Sequence, residues 1–150
     1  MRKRFLSLIA KWRIPNTFYR VSVKAIIWND TRTKFLLAQE KNGMWETPGG
    51  GLNWGEHVAA CITRELHEEM GLSVIKVSQA PIAFIPMKEL FDSRYPYRGF
   101  VFYEVQVRDY AFVPSDECRS IGWFTPEEAM KLAPAYPNIH DIARLISAHN

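Results

Sequence analysis

Apolar residues first alternate and then run together over 19–28, and Val21, Val23, Ile26 and Ile27 among them are β-branched, which predicts a strand. Asn29-Asp30-Thr31-Arg32 is a turn sequence, and Phe35-Leu36-Leu37-Ala38 reads as the hairpin partner of that strand. The pattern then breaks. Gly43-Met44-Trp45-Glu46-Thr47-Pro48-Gly49-Gly50-Gly51 has neither period and is expected to hold no regular element. Asn53, with Glu56 three residues later, is close to a capping box, so a helix is expected to start there. It should run to Met70 and stop at Gly71 in the left-handed conformation. Residues 74–77, 82–85 and 99–107 are further strand candidates, with 92–96 as a loop between the last two. Thr125-Pro126-Glu127-Glu128 opens a short helix, Thr as its cap and Pro at its first position, and 138–149 reads as a terminal helix. No repeat, low-complexity tract or linker separates these elements. They are expected to form one α+β domain over 19–150 behind an arm at 1–18.

Composition narrows the class. A chain of 150 residues matches one ordinary domain and needs neither metal nor disulfide merely to fold. Hydrophobic residues at 47% against 23% charged exclude disorder. Cys61 and Cys118 are too few for a disulfide scaffold and have no metal-ligand spacing. No apolar run reaches the roughly 18 residues of a membrane helix, and residues 5–10 lack the length and cleavage site of a signal peptide. A soluble, cytoplasmic protein without membrane insertion is expected. The net charge of +3 is unevenly spread: residues 1–24 carry seven Lys or Arg and no acid, whereas the other twelve basic side chains accompany sixteen acidic ones. That basic stretch would suit a polyanion such as a nucleotide, RNA or membrane surface. The plainer reading is a solvated turn whose Phe5, Leu8, Ile9 and Trp12 pack on the body, and it is preferred.

The chemistry is concentrated in the helix that ends at Met70. At 100° per residue, with Glu65 at zero, Glu69 lies at about 40° and Glu68 at about 300°, so three carboxylates share one stripe. Ala59, Ile62, Leu66 and Met70 form the apolar stripe beside it. Like charges three and four residues apart destabilise a helix by roughly 0.2–0.5 kcal/mol per pair, and these sit near its C-terminal, anion-repelling end. Local physics argues against the arrangement unless a hard divalent cation binds it, since carboxylate oxygens are the ligands Mg²⁺ and Mn²⁺ prefer. The preceding Pro48-Gly49-Gly50-Gly51 lets backbone groups approach a ligand closely.

This spacing resembles the Nudix family, whose box reads G-x5-E-x7-R-E-U-x-E-E-x-G-U with U aliphatic. Gly50, Glu56, Arg64, Glu65, Leu66, Glu68, Glu69, Gly71 and Leu72 fill all nine specified positions. Average residue usage makes such a match by chance roughly a 10⁻⁸ to 10⁻⁷ event. The resemblance implies an α/β/α sandwich with a mixed, curved sheet between helices. It implies a pyrophosphohydrolase that uses Mg²⁺, or Mn²⁺ in its place, to hydrolyse a nucleoside diphosphate linked to another moiety. Glu65, Glu68 and Glu69 match the family's metal ligands, and Gly49 a position whose carbonyl often joins them. Arg64 matches the arginine that orients the carboxylates, with an i,i+4 pair to Glu68 expected. Glu56 matches a mainly structural position. Family members often supply a further ligand or general base six residues ahead of a Trp near a late strand. Glu117 stands six before Trp123, so Glu117 is preferred to Asp116; Gly122 leaves no acid directly before that Trp.

Other residues carry weaker signals. Gly50 and Gly51, with Arg94 and Arg98 beside the 92–96 loop, are candidates for substrate contact. His67 lies away from the carboxylates and reads as a surface histidine, and Cys61 as an inert buried thiol. Trp45, Phe84, Phe91 and Tyr95 could stack on a base but are read as packing residues. The expected partner is a small-molecule nucleotide; an RNA end and a homodimer with a second copy of the chain stay open, as does the identity of the substrate. Two rivals share the fold. A ligand-sensing module without turnover often loses box carboxylates, and an isomerase usually has a degenerate box; here the box is intact.

Overall fold

The computed structural model describes residues 19–88 and 97–149. The basic arm 1–18, the 92–96 loop and Arg94 lie outside them. The described residues form, in order, β1 (Arg20–Ile26), β2 (Phe35–Glu40), β3 (Trp45–Glu46), β4 (Gly49–Gly51), α1 (Val58–Met70), β5 (Val74–Val77), β6 (Ala83–Lys88), β7 (Tyr97–Val107), β8 (Cys118–Phe124), α2 (Pro126–Met130) and α3 (Pro137–His149). One sheet runs β4-β1-β7, with β6 and β5 following one another along the far edge of β7; a second runs β3-β2-β8. In the larger sheet β1 and β7 pair in parallel while β4, β5 and β6 pair antiparallel with their neighbours, so that sheet is mixed.

Strand alternation builds two cores. Val23, Ala25 and Ile27, with Leu36 and Ala38, turn to one side and pack on Cys61, Ile62, Leu66 and Met70 of α1. Ile26, Phe35, Leu37, Phe100 and Phe102 turn to the other and meet Ala129 of α2 and Ile139, Ile142 and Ala143 of α3. Strands buried on both faces read as nearly continuous apolar runs, which is the pattern of Phe35-Leu36-Leu37-Ala38 in β2, whereas β1 carries Ser22 and Lys24 among its buried positions. Helices on both faces give the α/β/α arrangement.

Several expectations need correction. The glycine-rich stretch does hold regular structure: Ala38 and Gln39 pair with β3, and Ser22, Val23 and Lys24 pair with β4. Strands of two and three residues are made by backbone pairing and leave no side-chain period to read. Helix α1 begins at Val58 rather than near Asn53, with His57 as its N-cap. Glu56 does reach back to the Asn53 N–H at 3.0 Å, but Asn53–Glu56 closes a separate turn. Ala59 is exposed, so the apolar stripe starts one turn later, at Ile62, and includes Cys61. Strand β8 follows from no clear pattern in the sequence. Its register partner is β2, from Phe35↔Phe124 to Glu40↔Cys118. Arg20 and Lys24, counted with the basic stretch, are taken up into β1, where Lys24 is only 4% exposed.

The C-terminal stop of α1 and the N-terminal cap of α2 agree with the sequence. Gly71 takes φ 71°, donates to the His67 carbonyl, and lets Leu72 donate to Leu66, a Schellman closure. Thr125 caps α2 in a full capping box with Glu128, behind Pro126. The helix frame makes a prediction: Leu66→Ala lowers stability by about 2–5 kcal/mol, while Ala59→Ser changes it by less than about 0.5 kcal/mol. Urea unfolding of the two variants checks it, and comparable losses in both would contradict this orientation of α1.

Candidate active site

Strand β4 lies against the middle of α1, and glycine makes the approach close. A Cβ on Gly50 would overlap the carboxylate of Glu65, and one on Gly49, at φ +117°, would collide with the Val23 carbonyl. The loop thus presents backbone directly to the carboxylate helix. Gly51 is crossed by the guanidinium of Arg20, which donates to the Leu52 carbonyl.

Arg64 organises the acidic face. Its Nε and Nη2 donate to the two oxygens of Glu56 at 2.8 and 3.0 Å, a bidentate pair. Nη1 donates to Glu65 at 2.7 Å and reaches Glu68 at 3.4 Å. Arg64 therefore ties three carboxylates to one fork, including the i,i+4 partner expected. The guanidinium holds the Glu56 carboxyl down at about 2, and these carboxylates in turn raise the pKa of Arg64. Glu56 thereby serves as the anchor of Arg64 and not as a helix cap.

Glu69 has no such partner. Burial pushes its carboxyl up to about 7; Lys24 pulls the other way, and Glu65, Glu117 and Glu46 add repulsion. The charges that act on it come from four elements: β1, β3, α1 and the loop before β8. Glu69 also borders a cleft of about 280 Å³ whose walls include Thr47, Gly49, Lys41, Asp116 and Glu117. Glu117 is exposed and faces this cleft, whereas Asp116 is bound to Lys41 at 2.6 Å. Thr47 contributes a buried hydroxyl with no hydrogen-bond partner among the described residues.

Sequence reasoning missed Lys24, Glu46 and Thr47. Lys24 Nζ donates to the Gly49 carbonyl at 3.0 Å and pairs with Glu46 at 3.0 Å; Glu46 also accepts from Asn138 Nδ2 at 3.3 Å. The readable signal was a lysine set inside an apolar strand, Val21-Ser22-Val23-Lys24-Ala25-Ile26. Arg98 lies in β7 as the register partner of Arg20. His67 is exposed, and Cys61 is buried, with burial raising its thiol to about 11. Trp45 packs edge-on against Phe124 with 4.9 Å between rings. Phe84, in contrast, is 55% exposed. A Cβ on Gly122 would press on the Trp45 and Phe124 rings, which accounts for glycine there.

A glycine strand backed by an arginine-tied carboxylate helix, between two helical layers, defines a Nudix-type protein. The chain belongs to the NUDIX domain family, whose sequence profile matches residues 18–146. An RNA pyrophosphohydrolase of Ruthia magnifica subsp. Calyptogena magnifica is 38% identical over 65 residues, covering 43% of this chain and 36% of its own. Putative hydrolase 111R of Invertebrate iridescent virus 3 is 34% identical over 110 residues, 73% of this chain and 62% of that one. The matched stretches thus span less than two thirds of either relative. The solution structure of the E. coli ORF135 protein superposes with a TM-score of 0.69 at 25% identity, over 85% of this chain and 88% of that one. Among the described residues, no helix is long and apolar enough to cross a membrane.

The position of Glu69 sets a pH dependence. Its folded pKa of about 7 lies above the ordinary 4.5, so the fold is favoured below pH 4.5 and loses that advantage as pH rises through 7. The loss is at most about 3 kcal/mol. In EDTA, wild-type stability should fall between pH 5 and pH 8 while Glu69→Gln should fall less and be the steadier protein at pH 8. Denaturant unfolding at both pH values tests this; parallel wild-type and variant curves would contradict it.

Proposed function

We propose that the protein is a divalent-metal-dependent hydrolase that cleaves the pyrophosphate bond of a nucleoside diphosphate linked to another group, by attack of water at phosphorus. The observation that carries this reading is Glu69, a largely buried carboxylate crowded by Glu65, Glu117 and Glu46 at the wall of an open cleft. Such crowding is unfavourable by itself and becomes favourable around dications. The donors fit Mg²⁺, with Mn²⁺ as substitute, because they are hard carboxylate oxygens. Among the described residues no three acidic, thiol or imidazole side chains are drawn into a ready metal cage, and Glu65 and Glu68 turn to Arg64. Glu65, Glu68 and Glu69 would hold the ions, joined across the cleft by Glu117. Bound there, the ions would neutralise the pyrophosphate and acidify water.

The remaining work belongs to the chain. Arg64 fixes Glu65 and Glu68, and its anchor Glu56 keeps the fork from swinging toward substrate. Over Gly50 and Gly51 lie the Glu65 carboxylate and the Arg20 guanidinium, so a phosphate chain reaching these glycines would meet those side chains as well as backbone. Lys41 and the Thr47 hydroxyl border the same cleft and suit phosphate oxygens. Arg98, beside Arg20 in the sheet, and Arg94, by its place in the sequence, are further candidates for a phosphate contact. Glu117 either joins the ligands or takes the proton of the attacking water. The RNA pyrophosphohydrolase relative supports a 5′-terminal RNA pyrophosphate as one candidate substrate, beside free nucleotide derivatives.

A panel of nucleoside diphosphate derivatives and 5′-triphosphorylated RNA, assayed with Mg²⁺ or Mn²⁺, should give turnover that EDTA abolishes. Glu117→Gln should lower kcat by roughly 10²–10⁴-fold with little change in KM. Asp116→Asn, which breaks only an exposed ion pair, should keep kcat. Full turnover in EDTA would refute the metal role, and wild-type kcat in Glu117→Gln with collapse in Asp116→Asn would transfer the role to Asp116.

A further inference from the structure

The Gly49 carbonyl is the backbone oxygen that the family resemblance offers to a metal ion, and in this chain it is already engaged by a cation. Lys24 Nζ stands 3.0 Å from it and 3.0 Å from Glu46 Oε1, with the Phe100 ring 6.0 Å away. Its side chain is held inside β1, which is paired to β4 on one edge and β7 on the other. Departure of the ammonium would leave Glu46, at 19% side-chain exposure, without its ion-pair partner, a costly state for a mostly buried charge. The peptide itself is fixed. Ala25 N–H donates to the Pro48 carbonyl at 2.8 Å, and Gly49 is pressed on Val23 so that no Cβ can enter.

A metal ion on the same oxygen would lie within about 5 Å of this ammonium, given Mg²⁺–oxygen distances near 2.1 Å. One neutral carbonyl dipole is a poor bridge between a monovalent and a divalent cation at that separation. Lys24 is also placed to act on Glu69, whose carboxylate it favours in charged form. It thus supplies fixed positive charge at the end of the acidic cluster nearest Glu46.

We propose that the Lys24 ammonium takes the place of a divalent ion at the Gly49 carbonyl, so that metal is held by the carboxylates without this backbone ligand. Lys24 is then a positioning residue: it fixes the β4 backbone and reduces by one the number of divalent ions bound. The inference rests on the divalent-ion reading above and departs from the expectation that Gly49 is a metal ligand.

The test is a Mg²⁺ titration of ¹³C,¹⁵N-labelled protein by NMR, following the Gly49 carbonyl and the side-chain carboxyls of Glu65, Glu68 and Glu69. The carboxyl signals should shift and saturate while the Gly49 carbonyl stays near its metal-free position. Lys24→Met should make that carbonyl respond and raise the bound Mn²⁺ count, read by EPR, by one; Lys24→Arg should keep the wild-type count. A Gly49 carbonyl that shifts together with the carboxyls in wild type would overturn the proposal and leave the metal reading standing. Carboxyls that do not respond would overturn the metal reading and this inference with it. Should Lys24→Met not fold, the wild-type titration decides alone.

Discussion

The structure depends on how negative charge is arranged along one side of α1. Glu65, Glu68 and Glu69 project from adjacent positions of a single helix, and Glu46 and Glu117 add to them from β3 and the loop before β8. Two cations organise the ends of this group. Arg64 takes Glu56, Glu65 and Glu68 into one fork, and Lys24 takes Glu46 and faces Glu69. In the middle, Glu69 is largely buried, and Lys24 pulls against the repulsion of Glu65, Glu117 and Glu46. A fold can carry such a defect when the surrounding core over-determines it, and here Ile62, Leu66 and Met70 bind α1 to the sheet independently of the charges. The apolar stripe supplies the stability, and the acidic stripe is where the proposed chemistry would lie.

Glycine is the geometric counterpart of that charge. Side chains at 49 and 50 would displace either the Val23 backbone or the Glu65 carboxylate. The strand can therefore lie against both β1 and α1, which brings backbone groups, carboxylates and the cleft of Glu117 and Thr47 into one place.

The sequence carried the functional helix and its stop signal plainly, because a helix displays its faces at a fixed angle and Gly71 marks its end. It also carried β1, β2 and the N-terminal cap of α2, where local chemistry and tertiary structure agree. It did not carry β3, β4 or β8. Those strands exist through pairing with β2 and β1: β3 and β4, at two and three residues, are too short to show a side-chain period, and the seven residues of β8 show no clear alternation. The start of α1 was misplaced because Asn53 and Glu56 do form the local hydrogen bond of a cap, in a turn ahead of the helix. Lys24 was overlooked for a related reason: in sequence it joins a basic stretch, and only the sheet shows that it is buried beside Gly49. Within the candidate site, the residues of one helix, the glycines before it and Glu117 were legible, and Lys24, Glu46 and Thr47 were not.

The central claim is that repulsion around Glu69 is resolved by a bound divalent ion and not by general screening. The most direct measurement is the unfolding free energy of the wild-type protein at pH 8 in Mg²⁺ and in NaCl of matched ionic strength. Site binding adds stability that grows with the logarithm of Mg²⁺ concentration once the site is saturated, whereas screening depends on ionic strength alone. The account predicts a stability gain in Mg²⁺ well above that in NaCl, growing in this logarithmic way. Equal gains in the two salts would contradict it.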